Sequence, residues 1–285
     1  MSILTAIFQA IGQALAWVLP ISESGHSAIF HNFSGRLTNA CSQLTGVIHI
    51  GIAIGIFVAF FKFFITIFKS FFGGVGELFH RNLDIKKPTP ARRFVFMTIL
   101  SFAVLILYVI PTGKYGNLFL LLHSNTYSYS LFSVGLCFAL TGLIMIIAVM
   151  RMNIRVKQPP DAVQALVIGL VAMLAIPTGG CSLIAGVFCA CIFMGMNRGV
   201  ALKYAMVMSF MVLLTGGVTE LFIAVTKVSV VGAIIALVLS AAVAFVAARV
   251  LNNIIKKGWL NYVAYYDITI GLICIVIGIF QTVMK

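Results

Sequence analysis

Charged side chains are scarce in this sequence, and acidic ones are the scarcest. Only 9% of the 285 residues are charged, and six Asp and Glu stand against 19 Lys and Arg. Apolar residues make up 62%, and the mean hydropathy is +1.14. Such a chain has too few polar groups for a water-exposed surface, which excludes a soluble fold and predicts a membrane protein. Because no hydrophilic stretch is long enough to fold separately, we expect one membrane domain over 1–285.

Two further signals are missing. The six cysteines form no CxxC pair and lie mostly in apolar segments, which argues against disulfides or a cysteine metal site. No Lys or Arg precedes Arg36, and a polar break follows Pro20, so residues 1–19 do not resemble a cleaved signal peptide and are expected to belong to the fold. The basic residues lie between apolar segments, where they indicate topology rather than a surface for nucleic acid.

Apolar segments of about 20 residues, the length that crosses a bilayer, occur six times. They are 43–67, 94–111, 131–150, 203–226, 229–251 and 264–284. Residues 1–36 and 160–197 are instead pairs of shorter apolar segments, separated by PISESGH and PTGGCS. The pattern predicts an all-α polytopic membrane protein with about six full transmembrane helices and two re-entrant helical hairpins.

The distribution of Lys and Arg predicts the topology. Loop 68–93 carries six and is expected in the cytoplasm, whereas 112–130 carries one and 151–159 carries three. Following the chain backwards places the N-terminus outside, so the two hairpins enter from opposite faces. Because Ile-Gly also stands at the same distance before Pro20 and Pro177, we predict two inverted repeats, 1–150 and 151–285.

The two polar breaks are the candidate site. Irregular backbone at membrane depth is tolerated only where it is buried in protein or lines a cavity. A helix restarts after each break, and its free N–H groups suit an anion such as phosphate. Hydroxyls of Ser22, Ser24, Thr178 and Ser182 add donors, and His26 adds an acid, base or nucleophile. The alternative is that these hydroxyls cap helices and that His26 is a satisfied polar residue.

Isolated polar groups in the apolar segments also have two interpretations. Glu23 is a functional candidate because an intramembrane acid is costly, unless it lies at the outer interface. Glu220 marks either a second broken point or, as we favour, the interface. His49 is more often a packing residue. Gly51 and Gly55 form a GxxxG motif, which is typical of close helix packing and of homodimers.

The residues of the first break resemble the undecaprenyl-pyrophosphate phosphatases (BacA/UppP). Their signature ExxxEFLPISSxGH aligns without a gap with residues 13–26, QALAWVLPISESGH. Residues 47–51 resemble the family's LHLGT segment, 177–182 its PGxSRSG frame, and 257–266 the approach to its last helix. The resemblance implies a bacterial inner-membrane phosphatase that releases phosphate from an isoprenyl (undecaprenyl) pyrophosphate carrier used in cell-wall synthesis.

By this resemblance Ser22, Ser24 and His26 are catalytic candidates, with Glu23 as a base or metal ligand. The substrate-binding candidates are Gln13, Gly25, His49, Thr178, Gly179, Gly180, Cys181 and Ser182. A divalent cation such as Mg²⁺ or Ca²⁺ held by Glu23 is one way to compensate the negative charge of a pyrophosphate. Phosphate held by helix N-termini alone is the other.

The sequence also departs from the family. The glutamates of ExxxE, which the family uses for metal and acid-base work, are Gln13 and Trp17. The arginine of SRSG is Cys181, and an arginine that often follows the C-terminal Tyr-Tyr is Asp267. Losing one electrostatic clamp typically costs several kcal/mol, on the order of 10³ in rate. Whether hydrolysis is retained is therefore open.

Two functions stay in competition at this point. The first is a pyrophosphatase, and the second is a catalytically silent transporter that moves a lipid phosphate or a small solute by alternating access. An intramembrane serine protease is disfavoured because the sequence has no GxSxG elbow.

Overall fold

The computed structural model describes residues 3–34, 43–79, 88–126, 130–152, 160–224 and 227–284. In these ranges the regular structure is helical, apart from one isolated β-bridge between Pro111 and Asn117. The α-helices are α1 (Ile3–Val18), α2 (Glu23–Ser34), α3 (Gln43–Ala59), α4 (Phe61–Phe79), α5 (Pro90–Ala103), α6 (Leu118–Thr126), α7 (Leu131–Arg151), α8 (Ala162–Ala175), α9 (Leu183–Phe193), α10 (Arg198–Ile223), α11 (Val230–Lys257) and α12 (Leu260–Val283). The predicted all-α class is confirmed.

Five helical segments of the described chain are long and apolar enough to cross a membrane. They are α7, α10, α11, α12, and α5 together with the 3₁₀ turn that follows it to Val109. These segments correspond to five of the six predicted spans and confirm a polytopic membrane protein. Two predicted loops are partly helical, since α4 extends into 68–93 and α6 lies within 112–130.

The sixth predicted span, 43–67, is bent rather than straight. α3 and α4 meet at a break at Phe60 and are bent by 94° relative to each other. α4 exposes Lys62 and Lys69 and buries Phe64 and Ile67, which is the pattern of an amphipathic helix at a membrane surface. Two lysines on one helix face are costly inside hydrocarbon, so the chain turns before them.

Each of the two predicted hairpins contains a helix break. Leu19–Ser22 separate α1 from α2, and residues 176–182 separate α8 from α9. These helices have 16, 12, 14 and 11 residues. At about 1.5 Å per residue each is shorter than the ~30 Å apolar core of a bilayer, so none crosses it alone. The face from which each hairpin enters and the division into inverted repeats remain predictions.

Small residues let the long helices approach closely. α3 packs against α10 and α11, and α7 packs against α12. A Cβ on Gly51 would lie 2.7 Å from the Leu237 carbonyl oxygen of α11, and one on Gly55 would lie 2.7 Å from the Ala244 Cβ. The GxxxG pair is therefore used inside the chain, and it gives no support to a homodimer.

Two helix crossings flank the breaks. In the first, a Cβ on Gly46 of α3 would lie 2.8 Å from the Gly217 carbonyl oxygen of α10. In the second, a Cβ on Gly135 of α7 would lie 2.6 Å from the Gly271 carbonyl oxygen of α12. The first crossing positions His49, and the second lies beside the loops that carry the candidate site.

Candidate active site

The two loops predicted to form the site are in contact. The Ser22 hydroxyl donates to the Cys181 carbonyl oxygen at 2.9 Å. A Cβ on Gly25 would lie 3.0 Å from the Gly180 Cα, so the two backbones touch at this point. Segments 159 residues apart in sequence are thus in direct contact.

Ser22 is the residue that links the loops. It is 1% exposed, and it has a φ of 61°, the left-handed region that short polar side chains tolerate better than bulky ones. Its hydroxyl also accepts from the Gly25 N–H at 3.1 Å, which caps the start of α2. The Ser22 hydroxyl uses its own proton in the bond to Cys181. The Ser24 hydroxyl, 3.3 Å away, is therefore the donor between the two serines. Ser24, rather than Ser22, has the freer hydroxyl.

His26 has a defined tautomer in this arrangement. Its Nδ1 lies 2.8 Å from the Ser22 carbonyl oxygen, which can only accept, so Nδ1 carries a proton. Its Nε2 lies 2.7 Å from the Tyr266 hydroxyl, which donates to it when the ring is neutral. The Tyr266 ring stacks on the imidazole at 5.9 Å, and Phe138 packs edge-on at 5.4 Å. His26 therefore presents the lone pair of Nε2 as a base or nucleophile.

Tyr266 is the site residue that reasoning from the sequence missed. It lies in the Tyr-Tyr pair before Asp267, which the resemblance had marked only as the approach to the last helix. Nothing local in the sequence connects it to His26, because the two residues are 240 positions apart. Their contact depends on how α12 packs beside α7 and α2.

The second loop uses most of its polar groups locally. The Thr178 hydroxyl donates to the Leu174 carbonyl oxygen at 2.6 Å, and the Ser182 hydroxyl accepts from the Ala185 N–H at 3.3 Å. Gly180 has a φ of 95°, and a Cβ there would lie 2.5 Å from the Val134 carbonyl oxygen. The capping alternative thus describes Thr178 and Ser182, and the glycines permit close backbone contact.

Cys181 turns its side chain toward α7. Its thiol interacts with the Cys137 thiol and with the Thr141 hydroxyl. Its carbonyl oxygen accepts from Ser22, as described above. The residue at the position of the family's arginine therefore supplies a loop contact and no positive charge.

A second polar group lies at the α3–α10 crossing. The His49 Nδ1 is 2.9 Å from a Glu220 carboxylate oxygen, and the Trp17 ring packs at 5.2 Å from the imidazole. The Trp17 indole N–H donates to the Ser209 hydroxyl at 2.6 Å. α10 is continuous to Ile223, so Glu220 marks no second break. Glu220 lies in the last turn of α10 with 19% of its side chain exposed and pairs with His49, and its position at the outer interface stays a prediction.

Glu23 lies close enough to His26 and His49 for the charge of each to act on it. Its carboxylate accepts from the Ser27 hydroxyl at 3.1 Å. The charged groups that act on it are His49, Glu220 and His26. Glu23 is half-buried at the start of α2.

The residues present do not fit the divalent cation that the resemblance suggested. In the described part of the chain, no three His, Cys, Asp or Glu side chains are placed to share a metal ion. The family's two glutamates are replaced by the Trp17 indole, which cannot coordinate a cation, and by the neutral amide of Gln13. The Gln13 Oε1 is buried without a hydrogen bond from the protein.

Asp267 is the third intramembrane acid. It is fully buried, and among the described residues neither of its carboxylate oxygens has a hydrogen-bond partner. It lies between Ala264 and Gly271 on the buried face of α12. Where many family members carry an arginine, this chain carries an unpaired carboxylate, so charge compensation at the pocket follows another route.

Comparison with known proteins agrees with this architecture. Residues 6–273 match the family described as bacitracin resistance protein BacA. The undecaprenyl-diphosphatases of Methanosphaera stadtmanae and Alkaliphilus metalliredigens are 26% and 29% identical to the chain. Both alignments cover 98% of this chain and 99% or more of the relative. That of Halothermothrix orenii is 28% identical, over 98% of this chain and 100% of its own length. With the family match extending through both loops and the helices that hold them, the chain belongs to the BacA family.

Proposed function

We propose that this protein is a membrane phosphatase that hydrolyses an isoprenyl pyrophosphate, with undecaprenyl diphosphate as the expected substrate. The observation that carries the proposal is the orientation of His26. Its Nδ1 is held by the Ser22 carbonyl oxygen, and its Nε2 accepts from the Tyr266 hydroxyl. The names of the three relatives described above support the substrate class.

The chemistry follows from this orientation. When the headgroup and a water molecule displace the Tyr266 hydroxyl, the lone pair of the His26 Nε2 accepts a proton from the water. The water oxygen bonds to the terminal phosphorus, and the bond from that phosphorus to the bridging oxygen breaks. The products are inorganic phosphate and the lipid monophosphate. The Ser24 hydroxyl, which donates to Ser22 in the free protein, turns to donate to a phosphate oxygen when the headgroup binds.

The missing cations predict a slow enzyme. Phosphoryl transfer depends mainly on positioning and on compensating charge, and the arginines of the family are Cys181 and Asp267 here. Removing one clamp costs on the order of 10³ in rate in other enzymes. We therefore expect turnover well below that of a relative that retains both glutamates and the arginine.

A phosphate-release assay tests the proposal. Purified protein in detergent or nanodiscs is incubated with undecaprenyl diphosphate in Mg²⁺, in Ca²⁺ and in chelator, beside the Alkaliphilus metalliredigens relative as a positive control. We expect slow release that His26→Asn abolishes and that Glu77→Gln leaves unchanged, since Glu77 pairs with Arg92 in a separate ion pair. No release under any condition, with the control active, would refute hydrolysis.

Transport is the second candidate, and one observation favours it. Three of the six acidic residues in the chain, Glu23, Glu220 and Asp267, lie among membrane-embedded helices. Buried acids at a loop pair are common in carriers that use alternating access. Vesicles that load a lipid phosphate test this function, and we expect His26→Ala and Glu23→Gln to impair its translocation. Unchanged flux in both variants would count against it.

The cellular placement is part of the same proposal. The chain is a multi-pass membrane protein, and we place it in the bacterial inner membrane with loop 68–93 in the cytoplasm and the N-terminus outside. Of the cations in loops 68–93 and 151–159 on which this orientation rests, Arg81, Lys86, Lys87, Arg155 and Lys157 lie outside the described residues. Labelling of single cysteines introduced at both ends of α7 tests the orientation.

A further inference from the structure

A second histidine has one nitrogen that the fold leaves available. His49 is 9% exposed, and its Nδ1 faces a Glu220 carboxylate oxygen at 2.9 Å. A carboxylate only accepts hydrogen bonds, so Nδ1 carries a proton toward Glu220. The Nε2 is buried and has no hydrogen bond from the described protein. Buried polar nitrogens are normally paired, so an open one indicates a place for a ligand atom.

Positive charge is otherwise absent from the helices around the loops. No Lys or Arg occurs in 1–35, 37–61, 115–150, 158–197, 204–226 or 258–284. A phosphate headgroup in a pocket of low dielectric needs a compensating charge. Among side chains of these segments, only histidine can supply it.

Glu220 is in direct contact with His49 and carries the charge opposite to that of a protonated imidazole. The Trp17 ring lies 5.2 Å away, close enough for a cation–π contact. Trp17 occupies the position of the second ExxxE glutamate. An aromatic ring in contact with the imidazole therefore stands where the family places a metal-binding carboxylate.

We propose that His49, paired with Glu220, is the cation of this site and binds a phosphate oxygen of the lipid headgroup through its Nε2–H. The ligand class is a phosphate monoester or pyrophosphate on an apolar chain, and this choice rests on the substrate class of the proposed function. The site then recognises its ligand without a divalent metal, which agrees with the absence of a three-ligand cluster in the described residues.

Ligand binding in chelator tests this role without hydrolysis. The affinity of undecaprenyl phosphate is measured for the protein in nanodiscs with EDTA present, and undecaprenol serves as the uncharged control ligand. Loss of one charge-assisted hydrogen bond weakens binding by about 10- to 100-fold. We expect that loss in His49→Gln and in Glu220→Gln for the phosphate only. His49→Lys is expected to retain most of the affinity, and Glu77→Gln all of it.

A spectroscopic measurement separates charge from packing. In ¹⁵N-histidine-labelled protein at neutral pH, both ring nitrogens of His49 are expected to be protonated, and Glu220→Gln is expected to leave one of them bare. Wild-type affinity in His49→Gln, equal losses for undecaprenol, or a neutral His49 in the wild type would each overturn the proposal. If these variants weaken phosphate binding while no phosphate is ever released, hydrolysis fails and the role of His49 stands.

Discussion

Gly25 lies where the two loops touch, so Gly25→Ala tests the candidate site directly. A Cβ at this position would clash with the Phe138 ring, with Cζ at 2.5 Å, and would lie 3.0 Å from the Gly180 Cα. The ring has little room to move because Phe138 is fully buried and packs edge-on against His26. The added methyl must therefore displace either the second loop or the ring that supports the histidine.

The magnitude follows from two opposing terms. Inserting a methyl into a packed core costs about 1–3 kcal/mol, whereas Gly to Ala within a helix gains about 0.5–1 kcal/mol. The net change is a destabilisation of about 1–2 kcal/mol. A displacement of about 1 Å at a reacting group costs on the order of 10²-fold in rate. Phosphate release is thus expected to fall far more than stability.

The assay compares four proteins, the wild type, Gly25→Ala and two further variants, for melting temperature in detergent and for phosphate release. Gly12→Ala is the matched control, since a Cβ at Gly12 in α1 meets no atom within 4 Å, and it is expected to be neutral or slightly stabilising. Adding Phe138→Leu to Gly25→Ala should recover part of the lost stability. A Gly25→Ala protein with wild-type melting temperature and wild-type release would refute the described contact between the loops.

Three further substitutions have distinct expected outcomes. Tyr266→Phe keeps the ring stacked on His26 but removes the hydroxyl at Nε2. Phosphate release is therefore expected to change by about 3- to 10-fold at unchanged melting temperature. A melting temperature that falls instead would assign Tyr266 to packing. Ser22→Ala leaves the Cys181 carbonyl without its donor and α2 without its cap. It should lower the free energy of unfolding by about 1–3 kcal/mol, measured by thermal unfolding. An unchanged stability would contradict the link between the two loops. Asp267→Asn removes an unpaired buried carboxylate and should raise the melting temperature, whereas a loss would indicate a partner for this acid.

The sequence predicted the parts of this protein that depend on local composition. Apolar length predicted the membrane spans, and Pro20 and Pro177 with their polar neighbours predicted the two helix breaks. The motif around His26 led to the family, because its spacing is contiguous along the chain. The bend at Phe60 was not predicted, because hydropathy continues unbroken from α3 towards Lys62 and carries no information on the direction of the chain.

The pairings that make a site belong to the tertiary structure. His26 meets Tyr266, Ser22 meets Cys181, and His49 meets Glu220 across more than 150 positions in each case. Such contacts depend on which helices cross and at what depth, and the glycines of α3, α7, α10 and α12 that allow those crossings carry no partner information of their own. The local sequence therefore determined where the helices break and which polar groups lie at those breaks. Helix packing decided which of those groups contact each other.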